Sequence, residues 1–220
     1  MTRLRLVASA PGAGTAELDT MAAVRLPPGR HGLPADLVRA NQRQRMLEAA
    51  TEALAEHGYG RITAARVTEL AGVSSRTFYQ HFEDLWACLL AAYETEAAGL
   101  RGAIEGACAA AEADGADRAR AGIAAALDFL ASEPAVARLL SAEPPPQVVA
   151  LAAARRDLAE QLGTMLRGAI EQGGTIPLPG LERRLIGAAL ALVATRSGDG
   201  DPRRLRDLEP ELSELLLPVL

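Results

Sequence analysis

The chain of 220 residues is poor in aromatic residues and contains no lysine. Phe, Tyr and Trp make up 3% of the sequence while 49% is hydrophobic, so a core must consist mainly of Ala, Leu, Val and Ile. Ala and Leu are among the best helix formers, and no stretch alternates apolar and polar residues as strands do. The composition therefore predicts an all-α fold.

Residues and patterns that enzymes and membrane proteins need are also missing. The two cysteines, Cys88 and Cys108, lack a CxxC spacing and are interpreted as small reduced core residues. The three histidines have no paired carboxylate or nucleophile, and there is no HExxH motif, phosphate-binding loop or strand-linked G-x-G-x-x-G. No apolar run approaches the roughly 18 residues that span a membrane, and the N-terminal one is too short for a signal peptide. We therefore predict a cytoplasmic protein that is not an enzyme, with no metal, cofactor or membrane partner.

Charge is distributed unevenly along the chain, whose net charge is −5. Residues 1–82 contain 10 Arg and 7 acidic residues, whereas residues 83–220 contain 13 Arg and 21 acidic residues. A basic N-terminal part on an acidic body indicates that an anionic partner binds the N-terminal part.

Segments rich in glycine and proline divide the chain into three parts. Residues 1–33 are predicted to be a disordered arm, residues 34–82 a domain of three helices, and residues 83–220 a larger helical domain. The apolar spacings predict about nine helices, at 34–57, 64–71, 75–81, from Glu83 to the break at 113–117, 117–132, from Pro134, at about 147–172, 181–196 and a last helix to Leu220.

The arm leaves two interpretations open. Its Arg25, Arg30 and His31 lie just ahead of the first helix, as in arms that enter a narrow A·T-rich minor groove. The alternative is a disordered leader, and whether the true start is Met1 or Met21 is open.

The stretch 71–82, AGVSSRTFYQHF, interrupts the helical pattern with a glycine and two serines. Thr63 caps a short helix before it, and Ser74 caps another after it. Gly72 permits the left-handed backbone conformation of a tight turn between the two. This order predicts a helix-turn-helix.

The second helix of this motif has an aromatic face and a polar face. Phe78 and Phe82 are four residues apart, so they point the same way and anchor the helix to the body of the domain. The opposite face offers hydroxyls, a cation, a phenol and an amide, which suit base edges and phosphates. These side chains are Ser75, Arg76, Thr77, Tyr79, Gln80 and His81. We expect Arg76 and Tyr79 to contact DNA, whereas His81 is evenly balanced between DNA contact and packing. Arg43 and Arg45 are interpreted as solvated or diffusely attractive to DNA, not as specific contacts.

With these residues in place, the segment 42–90 resembles the TetR family of bacterial transcriptional regulators. It has a first helix ending in Gly-Tyr, a Thr-capped second helix, Ala-Gly-Val-Ser and then Thr-Phe-Tyr-x-His-Phe. The resemblance implies a homodimer that binds double-stranded DNA through the third helix and releases it when the C-terminal domain binds a small-molecule inducer. It also implies phosphate contacts from Thr63 and Tyr79, and Ser74 completes the predicted DNA-binding set.

Two positions depart from the family pattern. Leu85 stands where the fourth helix usually opens with a Lys or Arg that grips phosphate, and Thr68 stands where a small residue is common. The alternative interpretation is accordingly a helical interaction module of the same fold that has lost DNA binding.

The ligand and dimer surfaces are less sharply indicated by sequence. Trp86 and Tyr93 are weak candidates for a ligand pocket, with core packing as the alternative. The pairs Arg155-Arg156 and Arg183-Arg184 could bind an acidic ligand but are interpreted as solvated faces. Residues 181–196 and 203–220 carry more apolar surface than one internal contact requires, which predicts a four-helix interface across a two-fold axis. The alternative is a purely internal bundle.

Overall fold

The computed structural model describes residues 34–112, 115–170, 181–198 and 202–217, and within these ranges its only regular elements are helices. They are α1 (Ala35–His57), α2 (Ala64–Ala71), α3 (Ser75–His81), α4 (Leu85–Ala110), α5 (Gly115–Ser132), α6 (Pro134–Ser141), α7 (Val149–Ile170), α8 (Leu181–Gly198), a 3-10 helix (Pro202–Leu208) and α9 (Glu209–Leu216). The predicted all-α fold is confirmed. The predicted arm at 1–33, including Met21, Arg25, Arg30 and His31, lies outside the described residues.

Local chemistry sets most helix boundaries. α1 ends at Gly58, whose φ of 68° is a conformation that favours glycine. The side chain of Asp84 accepts a hydrogen bond from the backbone N–H of Ala87 at 2.8 Å and so begins α4 at Leu85, not at the predicted Glu83. Pro134 occupies the first turn of α6 as predicted, where its missing N–H costs nothing.

The prediction of a single helix from about residue 203 to Leu220 is wrong in its first third. Residues Pro202–Leu208 form a 3-10 helix, and α9 starts only at Glu209. Pro210 lies in the first turn of α9. A proline in a helix interior removes one backbone hydrogen bond and clashes with the preceding turn, so Pro210 is tolerated in the first turn of α9 but the α-helix cannot extend back through residues 202–208.

One continuous buried cluster extends from Met46 in α1 to Leu216 in α9. α4 is the central element and packs against α1, α5, α6 and α7, while α6 also packs against α1 and α8. The three N-terminal helices therefore rest on α4 and α6 through α1.

Both cysteines are free thiols. Cys88 is fully buried, and burial raises the pKa of its thiol to about 12, so it stays protonated at neutral pH. The predicted core role is confirmed for Cys88, whereas Cys108 is only partly buried. Within the described ranges, no helix is long and apolar enough to cross a bilayer, and no group of three or more His, Cys, Asp or Glu side chains could hold a metal ion.

Candidate nucleic-acid interface

The turn between α2 and α3 has the geometry that its glycine predicts. Gly72 has φ 61° and ψ 41°, in the left-handed region, and its N–H lies within hydrogen-bond distance of the carbonyl of Glu69 at 3.1 Å. The N–H of Val73 donates to the carbonyl of Thr68 at 3.0 Å, so the carbonyls at the end of α2 are satisfied. A residue with a Cβ would be strained at this φ.

An arginine of α1 holds this turn from behind. The guanidinium of Arg45 donates to the carbonyl oxygen of Ala71 and to that of Gly72, the latter at 3.2 Å. The interpretation of Arg45 as a solvated side chain is therefore wrong, because the residue joins α1 to the end of α2. No local pattern could have revealed this, since the partners are 26 and 27 residues apart in sequence.

The aromatic face of α3 is buried as predicted. Phe78 is fully buried and Phe82 is 7% exposed, with their ring centroids 5.7 Å apart. The guanidinium carbon of Arg43 lies 5.3 Å from the centroid of the Phe82 ring, which is within the range of a cation–π contact. This packing fixes the rotation of α3 and turns its other face outward.

Most of the predicted DNA-contacting residues are exposed, four of them on that outward face. Tyr79 is 60% exposed although it is aromatic, and its ring lies nearly perpendicular to that of Phe78, with the two ring centroids 5.3 Å apart. Thr77 and His81 are partly buried. The exposed members of the predicted set are Thr63, Ser74, Ser75, Arg76, Tyr79 and Gln80.

Two of the hydroxyls have a structural task as well. Thr63 caps α2 by accepting from the N–H of Arg66 at 3.2 Å, and Ser74 caps α3 by accepting from the N–H of Thr77 at 3.0 Å. The hydroxyls of Ser74 and Thr77 also lie 2.8 Å apart, so one donates to the other. Capping leaves the O–H of Thr63 available to donate to a phosphate.

His81 contacts α1. Its Nε2 lies 3.4 Å from Oε1 of Gln42, which accepts a hydrogen bond when Nε2 carries the proton. Partial burial lowers the pKa of His81, and the nearby charges of Arg39 and Arg43 lower it further. The imidazole is therefore a neutral contact between α3 and α1 at physiological pH.

The two departures from the family pattern are accommodated without strain. Leu85 is partly buried against the core at the start of α4. Thr68 is buried, and its hydroxyl donates to the carbonyl of Ala65 within the same helix at 2.8 Å. The polar group added at Thr68 thus has a partner, whereas Leu85 supplies no cation.

Arg138 of α6 connects the N-terminal helices to the larger domain. Its Nη1 donates to the carbonyl of Ala55 in the last turn of α1 at 3.1 Å, and its Nη2 to the carbonyl of Ser197 in the last turn of α8 at 3.4 Å. A cation next to two helix C-termini is also favoured by their dipoles. No local sequence pattern predicts this contact.

The ligand candidates Trp86 and Tyr93 lie on α4, facing the core. Trp86 is partly buried with its ring centroid 6.5 Å from that of Tyr59, and Tyr93 is 1% exposed. Burial raises the pKa of both phenols, that of Tyr59 to about 12. Two open hollows of about 420 and 360 Å³ lie elsewhere, the first beside Leu217 and the second beside Met165.

The arginine pairs divide between interior and surface. Nη1 of Arg155 lies 3.0 Å from a carboxylate oxygen of Glu143, and the Arg155 side chain is only 17% exposed. Arg156 next to it is exposed. Arg183 forms an exposed ion pair with Glu160 at 2.9 Å, which agrees with the prediction that it lies on a solvated face. The interpretation of Arg155 as solvated is therefore wrong.

Comparison with known families identifies the N-terminal region. Residues 46–92 match the family model of the bacterial regulatory proteins of the tetR family. The chain carries a TetR-family helix-turn-helix domain. The match spans the end of α1, the whole of α2 and α3 and the start of α4, and it confirms the sequence-based resemblance.

Solved structures with the same fold cover most of the chain. The fatty acid degradation regulator FadR from Bacillus halodurans has a TM-score of 0.64 at 18% identity, covering 80% of this chain and 98% of FadR. FadR from Bacillus subtilis, in complex with stearoyl-CoA, has a TM-score of 0.60 at 17% identity, with the same coverage of 80% and 98%. A TetR-like regulator from Rhodococcus sp. RHA1 has a TM-score of 0.61 at 19% identity, covering 84% and 98%. No curated protein matches the sequence.

Proposed function

We propose that the protein is a cytoplasmic transcriptional repressor that binds a pseudo-palindromic operator as a homodimer and is released by a small-molecule inducer. The observation that carries this proposal is the exposed polar face of α3, held outward by the burial of Phe78 and Phe82. A seven-residue helix with a hydroxyl cap, an exposed arginine and an exposed phenol suits insertion into the major groove.

Dimerisation through α8 and α9 has support in the residual apolar surface of these helices. Ile186 and Val193 of α8 are buried within the same chain, whereas Leu185 and Leu192 of α8 and Leu215 of α9 are only partly buried. These leucines can complete a four-helix interface with a second copy. Size-exclusion chromatography with light scattering of the full chain and of Leu192→Asp tests this interface, because a charge there should shift the dimer towards monomer.

Release by a ligand agrees with the way the domains are joined. FadR from Bacillus subtilis is a complex with stearoyl-CoA, but the likeness to it shows the fold alone. In this chain α4 and α6 support both α1 and the helices of the larger domain. A ligand that binds among the helices of the larger domain can therefore shift α1. It does so provided that it binds with different affinity to the arrangement of α1 that fits DNA and to the arrangement that does not.

A mobility-shift experiment tests the central claim. Wild-type protein should retard a promoter fragment from its own locus at nanomolar concentration, and footprinting should reveal two half-sites related by a dyad. Arg76→Ala should weaken this specific complex, while the matched control Arg156→Ala, on the exposed side of α7, should bind as the wild type does.

A second candidate function follows from Leu85. Without the cation usual at the start of α4, the fold would serve as a helical interaction module that no longer binds DNA. If the wild-type protein protects no DNA in footprinting but forms a stable dimer in solution, this result would support the interaction module and refute the repressor.

A further inference from the structure

Three side chains near the contact of α4 with α7 bury polar atoms that have no hydrogen-bond partner. The atoms are the hydroxyl oxygens of Tyr59 and Tyr93 and Nε of Arg155. Tyr93 is 1% exposed, so bulk water does not satisfy its hydroxyl. Buried polar groups nearly always have partners because an unpaired one destabilises the fold, and three together therefore require an explanation.

These side chains belong to one neighbourhood. The ring of Tyr59 lies beside that of Trp86, and Tyr93 follows Trp86 by two helical turns on the same side of α4. α4 packs against α7, which carries Arg155. The charges of Arg155 and Glu143 act on both phenols, and the phenol of Tyr59 acts on that of Tyr93.

The chemistry of the three groups defines what would satisfy them. Nε of Arg155 is a donor, and each phenol can donate its O–H. An anionic oxygen accepts from all three, and the planar guanidinium is matched in shape to a carboxylate.

The protein already presents a carboxylate to Arg155. Glu143, in the segment between α6 and α7, pairs with Nη1 of Arg155 at 3.0 Å, but its own side chain is 77% exposed. Nη2 of Arg155 makes only a long contact of 3.5 Å with the carbonyl of Ser141. A solvent-exposed ion-pair partner is held weakly and can exchange with a carboxylate from solution.

We propose that Tyr59, Tyr93 and Arg155 form the binding site for the carboxylate group of a small-molecule ligand, which displaces Glu143 from Arg155. The inference rests on the proposed function, in which this ligand is the inducer. Tyr59 lies between α1 and α2 of the helix-turn-helix domain, whereas Tyr93 and Arg155 belong to the larger domain. A carboxylate held by all three therefore links the two domains and changes the position of α1 on α4.

The first test needs no ligand. If the Tyr93 hydroxyl is unpartnered, Tyr93→Phe in the full-length protein should raise the melting temperature by about 2–4 °C. Tyr79→Phe is the matched control, because it removes the same hydroxyl from an exposed ring and should leave the melting temperature unchanged. A fall in the melting temperature of Tyr93→Phe would mean that the hydroxyl has a partner such as a buried water, and would overturn the proposal.

The second test uses sodium monocarboxylates from acetate to octanoate as probes, each against its alcohol and against NaCl of equal ionic strength. At least one carboxylate should raise the melting temperature of the wild-type protein while its alcohol does not. Arg155→Met should lower the affinity for that carboxylate by about tenfold or more. Glu143→Gln should raise the affinity severalfold because the competing carboxylate of Glu143 is gone. Absence of protection in both the wild type and Glu143→Gln, or equal protection in wild type and Arg155→Met, would overturn the proposal.

Operator binding measured in parallel separates this inference from the proposed function. If a carboxylate raises the melting temperature in a way that depends on Arg155, but the protein retards no operator, the proposed repressor function is refuted and the proposed carboxylate site is supported. Operator binding without carboxylate protection would refute the site alone. A carboxylate that raises the melting temperature should also lower the affinity for operator DNA. Operator DNA should lower the affinity for the carboxylate by the same factor.

Discussion

The guanidinium of Arg45 donates a hydrogen bond to the carbonyl oxygen of Gly72, 3.2 Å away, and a second one to Ala71. α1 is thereby tied to the turn of the helix-turn-helix by a charged group as well as by apolar packing. The turn has a left-handed glycine, and the position of α3 depends on how that turn is held. The contact therefore contributes both to the stability of the domain and to the orientation of α3.

Replacing Arg45 with methionine should lower the free energy of unfolding by about 1.5–3 kcal/mol, because the two carbonyls lose a charged donor while the aliphatic part of the side chain is kept. Urea unfolding followed by circular dichroism measures the loss. Arg156→Met, at an exposed position of α7, is the control and should change stability by less than about 0.5 kcal/mol. Equal stability of the two variants would contradict a structural role for Arg45.

We expect Arg76 to contact a base and Tyr79 to contact a phosphate. Arg76→Ala should cost roughly 1–3 kcal/mol of operator affinity if the guanidinium reads a guanine, with little effect on random DNA. Tyr79→Phe should weaken operator and random DNA alike, because a phosphate carries no sequence information. Fluorescence anisotropy titrations of both variants with both DNAs distinguish these results. Parallel losses on both DNAs for Arg76→Ala would contradict base reading.

Arg138 should determine which operator spacing the dimer accepts. Two recognition helices must enter successive major grooves about 34–36 Å apart or a multiple of it, and Arg138 links α1 to the end of α8. On operators whose half-sites are moved by one or two base pairs, the wild type should lose most of its affinity. Arg138→Met should lower affinity for the best spacing and flatten the dependence on spacing, since the domains are then held less firmly.

The control for this experiment is Arg183→Met, which removes an exposed ion pair on α8 without touching α1. It should keep the spacing preference of the wild type. A sharp preference in Arg138→Met, equal to that of the wild type, would show that apolar packing alone sets the distance between the two recognition helices.

The N-terminal arm should contribute to DNA binding through Arg25 and Arg30. Each neutralised phosphate contributes about −0.9 to the slope of log affinity against log salt concentration, so deleting residues 1–33 should flatten that slope by up to about 2. Operator titrations over a range of NaCl concentrations, with the double variant Arg25→Ala/Arg30→Ala alongside the deletion, measure the effect. An unchanged slope and affinity in both would identify the arm as a leader.

The low pKa of His81 should make the protein less stable in acid. The unfolded chain binds a proton near the ordinary histidine pKa of 6.5, whereas the folded protein resists protonation because of burial and the charges of Arg39 and Arg43. The contribution of neutral His81 to the free energy of unfolding is therefore fully present above about pH 6.5. It is lost as the pH falls from there through the pKa of His81 in the folded protein.

In His81→Gln the melting temperature should fall less between about pH 8 and about pH 5 than in the wild type, because glutamine does not titrate yet can still donate to Gln42. His57→Gln is the control, since it changes another histidine at the end of α1 outside this contact. Identical pH profiles for His81→Gln and the wild type would contradict this role of His81.

Sequence alone determined the features that depend on neighbours along the chain. Thr63, Ser74 and Gly72 act through backbone groups within a few residues of themselves, and their roles as caps and turn were predicted because those distances are fixed by helix geometry. The burial of Phe78 and Phe82 with exposure of Tyr79 likewise follows from the rotation of 100° per residue. The 3-10 segment before α9 was missed although Pro210 marks it, because proline is also tolerated in the first turn of a helix.

Only the tertiary structure decided the roles of the arginines. Arg45, Arg138 and Arg155 are indistinguishable in sequence from Arg156 and Arg183, since all five lie in helices with charged or polar residues nearby. Arg45 and Arg138 find carbonyl groups 26 to 83 residues away in sequence, where helix ends meet, and Arg155 lies among phenols from two other segments. A long cation is stable either in solvent or against buried acceptors, and the choice depends on which helix ends the packing of α1, α4, α6 and α7 brings within its reach.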